Sequence, residues 1–313
     1  MSVLAFIFPG QGSQFVGMGR ELACEFPEAQ KVFTAADERL GFPLSRLCFA
    51  GPEEELKLTT NTQPAVLATS IASLRVLERY GVRPQFVAGH SLGEYSALVS
   101  TGAMRFEEAL ELVRLRGRLM EEAVPAGEGG MVAVLGLPGD QVAEICQQAS
   151  VVGVVEPANY NCPGQVVIAG QQEAMEKAME LARQSGAKRV IPIAVSGPFH
   201  SSLMLPAGEQ LADALQRVSI RPPDIKFVAN VSADYASAPM EIREALVRQI
   251  SSPVRWEASI RRLIADGVDT FVEVGPGTVL GGLVKKIDKQ VKVFGVQDVA
   301  SLEKTLASLG EGG

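Results

Sequence analysis

Histidine is the scarcest chemistry-bearing residue in this chain: His90 and His200 are the two in 313 residues. A three-histidine zinc site is therefore excluded, and no H-E-x-x-H pair exists, so no metal is expected. Cysteine is sparse as well. Cys24, Cys48, Cys146 and Cys162 contain no C-x-x-C spacing. Four cysteines in a chain this long do not read as a disulfide framework, so a reducing cytoplasm is the expected setting. Long apolar runs are missing: Val3–Phe8 and Met131–Leu137 fall far short of the ~20 residues a membrane helix needs. The first ten residues, Met-Ser-Val-Leu-Ala-Phe-Ile-Phe-Pro-Gly, lack a basic segment and an Ala-x-Ala site. They read as a first strand and not as a signal peptide. Excess basic charge is absent too. Lys and Arg number 29 against 36 Asp and Glu, a net −7, which argues against a general nucleic-acid binder. What is present is a folded chain: 47% hydrophobic and 21% charged residues are enough to bury a core and too apolar for disorder.

The first half alternates short apolar strands with helical patterns. Val3–Phe8 ends at Pro9-Gly10. Helices are expected over Pro27–Leu40 and Thr62–Tyr80, then a strand at Gln85–Gly89, a helix from Leu92 and another over Phe106–Ala123. This alternation predicts a parallel sheet covered on both faces. From Gly129 the pattern changes. Met131–Gly136, Val151–Pro157, Gln165–Ala169 and Arg189–Val195 read as strands, with helices at Gly139–Ala149 and Gln171–Ser185. That β-α-β-β-α-β order is the ferredoxin-like pattern. Residues 128–196 are therefore expected to form a subdomain inserted into a larger domain of residues 1–127 and 197–313. The α/β alternation resumes with strands at Lys226–Val231, Thr270–Val274 and Val291–Val296. Helices are expected at Glu241–Ile250, Val254–Ala265, from Thr278, and at Ser301–Leu309. The tail Gly310–Gly313 is expected to fray.

Gly89-His90-Ser91-Leu92-Gly93 matches G-x-S-x-G, between a strand-like and a helix-like segment. That is the context of a nucleophile elbow, where a strained turn lifts a serine hydroxyl off the sheet edge. The Leu92 N–H would then open a helix, where partial positive charge favours an oxyanion. Ser91 needs a base. His90 adjoins it, and neighbours on an elbow point apart, so elimination leaves His200, in a turn-rich stretch after a strand. The only aspartate between Ser91 and His200 is Asp140, and no glutamate marks itself as a triad acid. The histidine's orienter is then a backbone or amide oxygen, which weakens a plain esterase reading. Gln11, in Pro9-Gly10-Gln11-Gly12-Ser13-Gln14, follows the first strand and can support an oxyanion hole. The segment is neither a dinucleotide fingerprint nor a Walker A loop.

Arg116 lies within the apolar stripe Ala109, Leu112, Val113, Leu119 and Met120 of its helix. An inward guanidinium needs an anion or several carbonyls. Two readings stay open: a structural ion pair with a core carboxylate, or a bidentate clamp for a substrate carboxylate near the serine.

Together these residues resemble the malonyl-CoA:acyl carrier protein transacylase family. The marks are Phe-Pro-Gly-Gln-Gly-Ser-Gln at 8–14, Gly-His-Ser-Leu-Gly-Glu-Tyr at 89–95, Arg116-Gly117, and Asn161-x-Pro163-Gly164-Gln165-Val166-Val167-Ile168-Ala169-Gly170. Pro198-Phe199-His200, Leu246-Val247-Arg248-Gln249 and Glu273-Val274-Gly275-Pro276-Gly277 complete them, so the resemblance spans the whole chain. It implies an α/β-hydrolase-like large domain with an inserted ferredoxin-like subdomain. It implies Ser91 as nucleophile, His200 as base, Arg116 on the malonyl carboxylate, and Gln11 with the Leu92 amide as oxyanion hole. Gln249 would orient His200 through its main-chain carbonyl. His90 and Asn161 would line the pocket, with Phe199 and Met120 also against the substrate, and Leu92 and Phe199 go with malonyl over methylmalonyl. Malonyl-CoA and acyl carrier protein are the implied partners, with no cofactor, nucleic acid or membrane. Fatty acid synthesis is the implied setting and polyketide synthesis the alternative. Two rivals remain, a serine esterase or thioesterase and a non-catalytic acyl or carrier-protein binding module. For an acidic carrier, Lys188, Arg189, Lys285, Lys286 and Lys289 are the candidate basic patch.

Overall fold

The computed structural model describes residues 2–125, 127–195 and 197–310. The expected fraying of the tail beyond Gly310, and Ser196 at the end of the inserted segment, fall outside the described residues. In chain order the strands are β1 (Leu4–Phe8), β2 (Phe86–Gly89), β3 (Gly129–Leu135), β4 (Val155–Cys162) and β5 (Gln165–Gln171). They continue with β6 (Arg189–Ile193), β7 (Lys226–Ala229), β8 (Asp234–Tyr235), β9 (Thr270–Val274) and β10 (Lys292–Val296). The large sheet has the order β10-β9-β1-β2-β7-β8. All neighbours are parallel except the two-residue β8. β1, β2 and β9 are buried at every position, as a parallel sheet with helices on both faces requires. Alternation splits β1 between two cores: Phe6 and Phe8 enter the larger apolar cluster, Ala5 and Ile7 the one on the opposite face. The register Phe8↔Gly89 sets the loop after β1 beside the turn after β2. Those two carboxyl ends carry the site.

The second sheet is antiparallel, in the order β4-β5-β3-β6. The helices Gly139–Ala149 and Gln172–Gln184 cover it and share its own apolar cluster, which includes Val132, Val134, Ile145, Ile168 and Ala178. β4 is stitched to the rest of the molecule at Val254. Tyr160 N–H donates to Val254 O at 2.9 Å, and Val254 N–H to Ala158 O at 2.9 Å. The fold is thus mixed α/β, a mostly parallel helix-covered sheet with a separate small antiparallel sheet.

One strand lies later than its sequence pattern indicates. Val151 and Val152 belong to a 3-10 turn, Ser150–Val152, and not to a strand from Val151 to Pro157. Val151 is 80% exposed, whereas Val155 and Ala158 are buried, so the ladder starts where side chains find a core. Consequently Asn159 and Asn161 are strand residues. Among the described residues, four α-helices have no counterpart in the sequence reading: Arg20–Glu25, Leu44–Ala50, Glu53–Lys57 and Leu205–Gln216. The first three are five to seven residues long and show barely two turns of periodicity.

Candidate active site

The turn after β2 is shaped by what its glycines lack. A Cβ on Gly89 would lie 1.9 Å from the Gly93 carbonyl carbon, and one on Gly93 would lie 2.1 Å from the Phe8 oxygen. Between them Ser91 takes φ 51°, a left-handed conformation that is strained for any side chain. Asn230, just beyond β7, clamps this turn. Its Oδ1 accepts Ser91 N–H at 2.8 Å, and its Nδ2 donates to Gly89 O at 2.7 Å. The helix Gly93–Ser100 begins at once, so Leu92 N–H stands at a helix start without an intrahelical acceptor.

His200 meets Ser91 from across 109 residues of sequence, with Nε2 2.8 Å from Ser91 Oγ. Its other nitrogen, Nδ1, lies 2.8 Å from the Gln249 main-chain oxygen. A carbonyl only accepts, so Nδ1 carries the proton and Nε2 presents its lone pair to the serine hydroxyl. That carbonyl ends the helix Pro239–Gln249, where unsatisfied oxygens and the negative end of the dipole favour a partial positive charge. It occupies the place of a triad acid. Asp140 is exposed and bonds the Gln141 amide of its own helix. Burial first, then the field of Arg116, push His200 down from 6.5 to about 3, so the ring is neutral at pH 7.

Arg116 is 1% exposed. Nη1 donates to Gln63 Oε1 at 2.8 Å. Nη2 donates to Gln249 Oε1 at 2.9 Å and to Ser91 Oγ at 3.0 Å. Nε is buried with no partner. Among the described residues no carboxylate lies within 4.0 Å of the guanidinium. The direct ion pair with a core carboxylate is therefore not what holds it. The nearest linked acid is Glu94, reached through the Gln249 side chain. Burial raises the Glu94 pKa, but its two N–H donors, one on each oxygen, and the charge of Arg116 pull the other way and hold the group as a carboxylate.

Ser91, His200 and Arg116 open on a cleft of about 460 Å³ that Gln11, Leu92, Met120, Phe199 and His90 also line. Gln249 stands behind the cleft and not on it. Asn161 lines an adjoining cavity of about 180 Å³, shared with His90 and Gln11. There Asn161 Oδ1 lies 2.9 Å from His90 Nε2, and burial lowers the His90 pKa. The Gln11 side chain donates to Thr59 Oγ1 at 3.0 Å. Met120 is tied in through its sulfur, which accepts from Gln63 Nε2 at 3.5 Å.

Lys188, Arg189 and Lys286 meet at one end of the small sheet, whereas Lys285 and Lys289 lie toward Val291. Lys286 Nζ donates to Gln165 Oε1 at 3.3 Å, Gln165 pairs with Leu135, and Leu135 pairs with Arg189. Lys188 N–H donates to Leu135 O at 2.7 Å, and Lys285 Nζ to Val291 O at 2.6 Å. Three residues of the site escaped the sequence reading: Asn230, Gln63 and Glu94. Asn230 is a polar side chain inside the apolar run Phe227–Val231, a signal that was there to be read; Gln63 follows the polar stretch Thr59–Thr62 and Glu94 lies between Ser91 and Ser96, so neither stood out.

Comparison with known proteins agrees with this geometry. A family model described as acyl transferase domain matches residues 5–305. A malonyl CoA-acyl carrier protein transacylase of Bacillus subtilis is 51% identical over 312 residues, covering 99% of this chain and 98% of the relative. The crystal structure of such a transacylase from Clostridium perfringens superposes with a TM-score of 0.96 at 46% identity, covering 99% of this chain and 98% of that one. A malonyl-transacylase solved in complex with a type II PKS acyl-carrier protein gives a TM-score of 0.96 at 45% identity, covering 98% of this chain and 100% of that one. With sequence, fold and site geometry in agreement, the chain belongs to the malonyl CoA-acyl carrier protein transacylases of the acyl transferase domain family.

Proposed function

We propose that this chain transfers the malonyl group of malonyl-CoA to the phosphopantetheine thiol of acyl carrier protein, supplying extender units for fatty acid synthesis. The observation that carries this reading is a buried cation without a counter-ion, Arg116, which reaches Ser91 Oγ at 3.0 Å. An acyl group ending in a carboxylate can take the Nη2 donor that now serves Ser91 Oγ, on the same edge as the unpartnered Nε–H.

Ser91 Oγ attacks the thioester carbonyl while His200 Nε2 takes its proton. The oxyanion is held by the Leu92 and Gln11 main-chain N–H groups. Collapse expels CoA as its thiol, with the proton returned from His200, and leaves a malonyl-serine ester. The carrier thiol then gives its proton to His200 and attacks that ester, and Ser91 regains its proton as it leaves. The Gln249 carbonyl keeps the His200 tautomer. His90, Asn161, Phe199 and Met120 shape the acyl and thioester approach.

Residues 128–196 act in this reading as an inserted subdomain between 1–127 and 197–313, supported by their separate sheet and apolar cluster. Cytoplasmic location belongs with it, since all four cysteines are free thiols. The test is intact-mass spectrometry after mixing with malonyl-CoA. A malonyl adduct on the wild type that is absent in Ser91→Ala and discharged by acyl carrier protein is expected. No adduct leaves only a binding module, and discharge by water without carrier leaves a thioesterase.

A further inference from the structure

Glu94 is fully buried three residues after the nucleophile, and no step above uses it. Both carboxylate oxygens face donors: Oε1 accepts Asn230 N–H, and Oε2 accepts Gln249 Nε2–H. A proton on either oxygen would meet a donor. The buried cation of the site stands on the far side of the same amide, because Gln249 Oε1 accepts from Arg116 Nη2. Opposite charges attract strongly in a low-dielectric interior, yet here one amide holds them apart. The orientation of that amide is fixed three times over. Arg116 can only donate, whereas Glu94 and the Ser91 main-chain oxygen can only accept, the latter from Gln249 Nε2 at 2.8 Å.

We propose that Glu94 is a positioning residue for the transfer: an acceptor-only group that locks the Gln249 amide and keeps the Arg116 guanidinium turned toward Ser91 and the acyl carboxylate. This rests on the reading that Arg116 receives the malonyl carboxylate. Touching Glu94 directly, Arg116 would already be neutralised, and an incoming carboxylate would have to displace an existing pair. Held through an amide, the cation stays buried, partly compensated and available. The same carboxylate also fixes the main chain of Asn230, whose side chain clamps the elbow.

Glu94→Gln keeps shape and burial but places an NH2 where only an acceptor fits. With its oxygen kept on Asn230 N–H, that NH2 meets the Gln249 NH2. If Gln249 turns over, its NH2 meets Arg116 instead, so in both arrangements Arg116 loses its hold; if the new amide itself turns, its NH2 meets the Asn230 N–H, a mismatch that Gln249→Met does not share. The experiment measures Ser91 acylation rates with malonyl-CoA and acetyl-CoA in the full chain, by quenched intact-mass spectrometry, with a melting curve beside each variant. The malonyl-to-acetyl ratio should fall about tenfold or more, the scale of one mismatched buried hydrogen bond, while acetyl acylation changes less. Gln249→Met, which deletes the amide and keeps the carbonyl for His200, should lower the ratio similarly. The double variant should then fall no further, because both act through one relay. Should Glu94→Gln not fold, Glu94→Asp takes its place, since it withdraws the acceptor by one methylene. An unchanged ratio, an additive double variant, or an equal fall for both acyl groups with a lower melting point overturns the proposal. A wild type that takes no malonyl group overturns the underlying function as well, which separates the two failures.

Discussion

Arg116→Ala should collapse the preference for malonyl over acetyl groups. In the free protein the guanidinium makes three hydrogen bonds, to Gln63, Gln249 and Ser91 Oγ, and leaves Nε–H unpaired. An acyl carboxylate gives it a charged partner, worth roughly 1.5–3 kcal/mol or more when desolvated. At about 1.4 kcal/mol per tenfold, the malonyl kcat/KM should fall about ten- to a hundredfold or further. Acetyl-CoA brings no carboxylate and leaves the buried cation unmatched, so its transfer should hold steady or rise. The substitution also orphans the Gln63 and Gln249 oxygens, about 1–3 kcal/mol each, so the melting point should drop and folding must be verified. Loss of the contact to Ser91 Oγ affects both acyl groups alike and cancels in their ratio. Arg116→Lys should rescue only in part, because one ammonium lacks the planar fork. The assay is the ratio of malonyl to acetyl kcat/KM in folded Arg116→Ala protein. An unchanged ratio would refute the clamp.

Other predictions follow from neighbouring contacts. Because burial and Arg116 hold His200 near 3, kcat/KM for acylation should show no acidic limb at 6.5; a limb there would mean an unshifted histidine. The linked stability has the same sign: the unfolded ring protonates first, so His200 costs stability as pH falls from 6.5 toward about 3, measurable in pH-dependent denaturant melts. Asn230→Ala removes both bonds that brace the elbow and should slow malonyl and acetyl acylation equally, by about tenfold, leaving their ratio intact. Charge reversal at Lys285 and Lys286 should raise the apparent KM for acyl carrier protein, more so at low salt, with KM for malonyl-CoA nearly unchanged; unaltered carrier kinetics would discard that patch.

The strands of the parallel sheet and most of its helices, the ferredoxin-like stretch, the elbow around Ser91 and the inward Arg116 were legible along the chain. Each is a local signal, since a period of 2 or 3.6 residues or a Gly-bounded turn spans only a few neighbours. Histidine scarcity singled out His200 without any structure. Where the local signal was weak, the reading slipped: two valines at 151 and 152 looked like a strand, but no core meets them there. Short helices such as Leu44–Ala50 were too brief to register.

Tertiary structure alone decided what each candidate catalytic group touches. The group that orients His200 is a main-chain oxygen 49 residues on, and a carbonyl leaves no mark on residue type. Asn230 reaches the elbow across 139 residues, and Gln249 stands between Arg116 and Glu94, 133 and 155 residues from each. The sequence showed that Arg116 faces inward and left open whether a carboxylate meets it. Packing answered by placing neutral amides and a serine hydroxyl there. Hydrophobic patterning determines which side chains go inside, because burial depends on local periodicity; which polar groups then meet depends on how distant elements dock, and no local pattern encodes that.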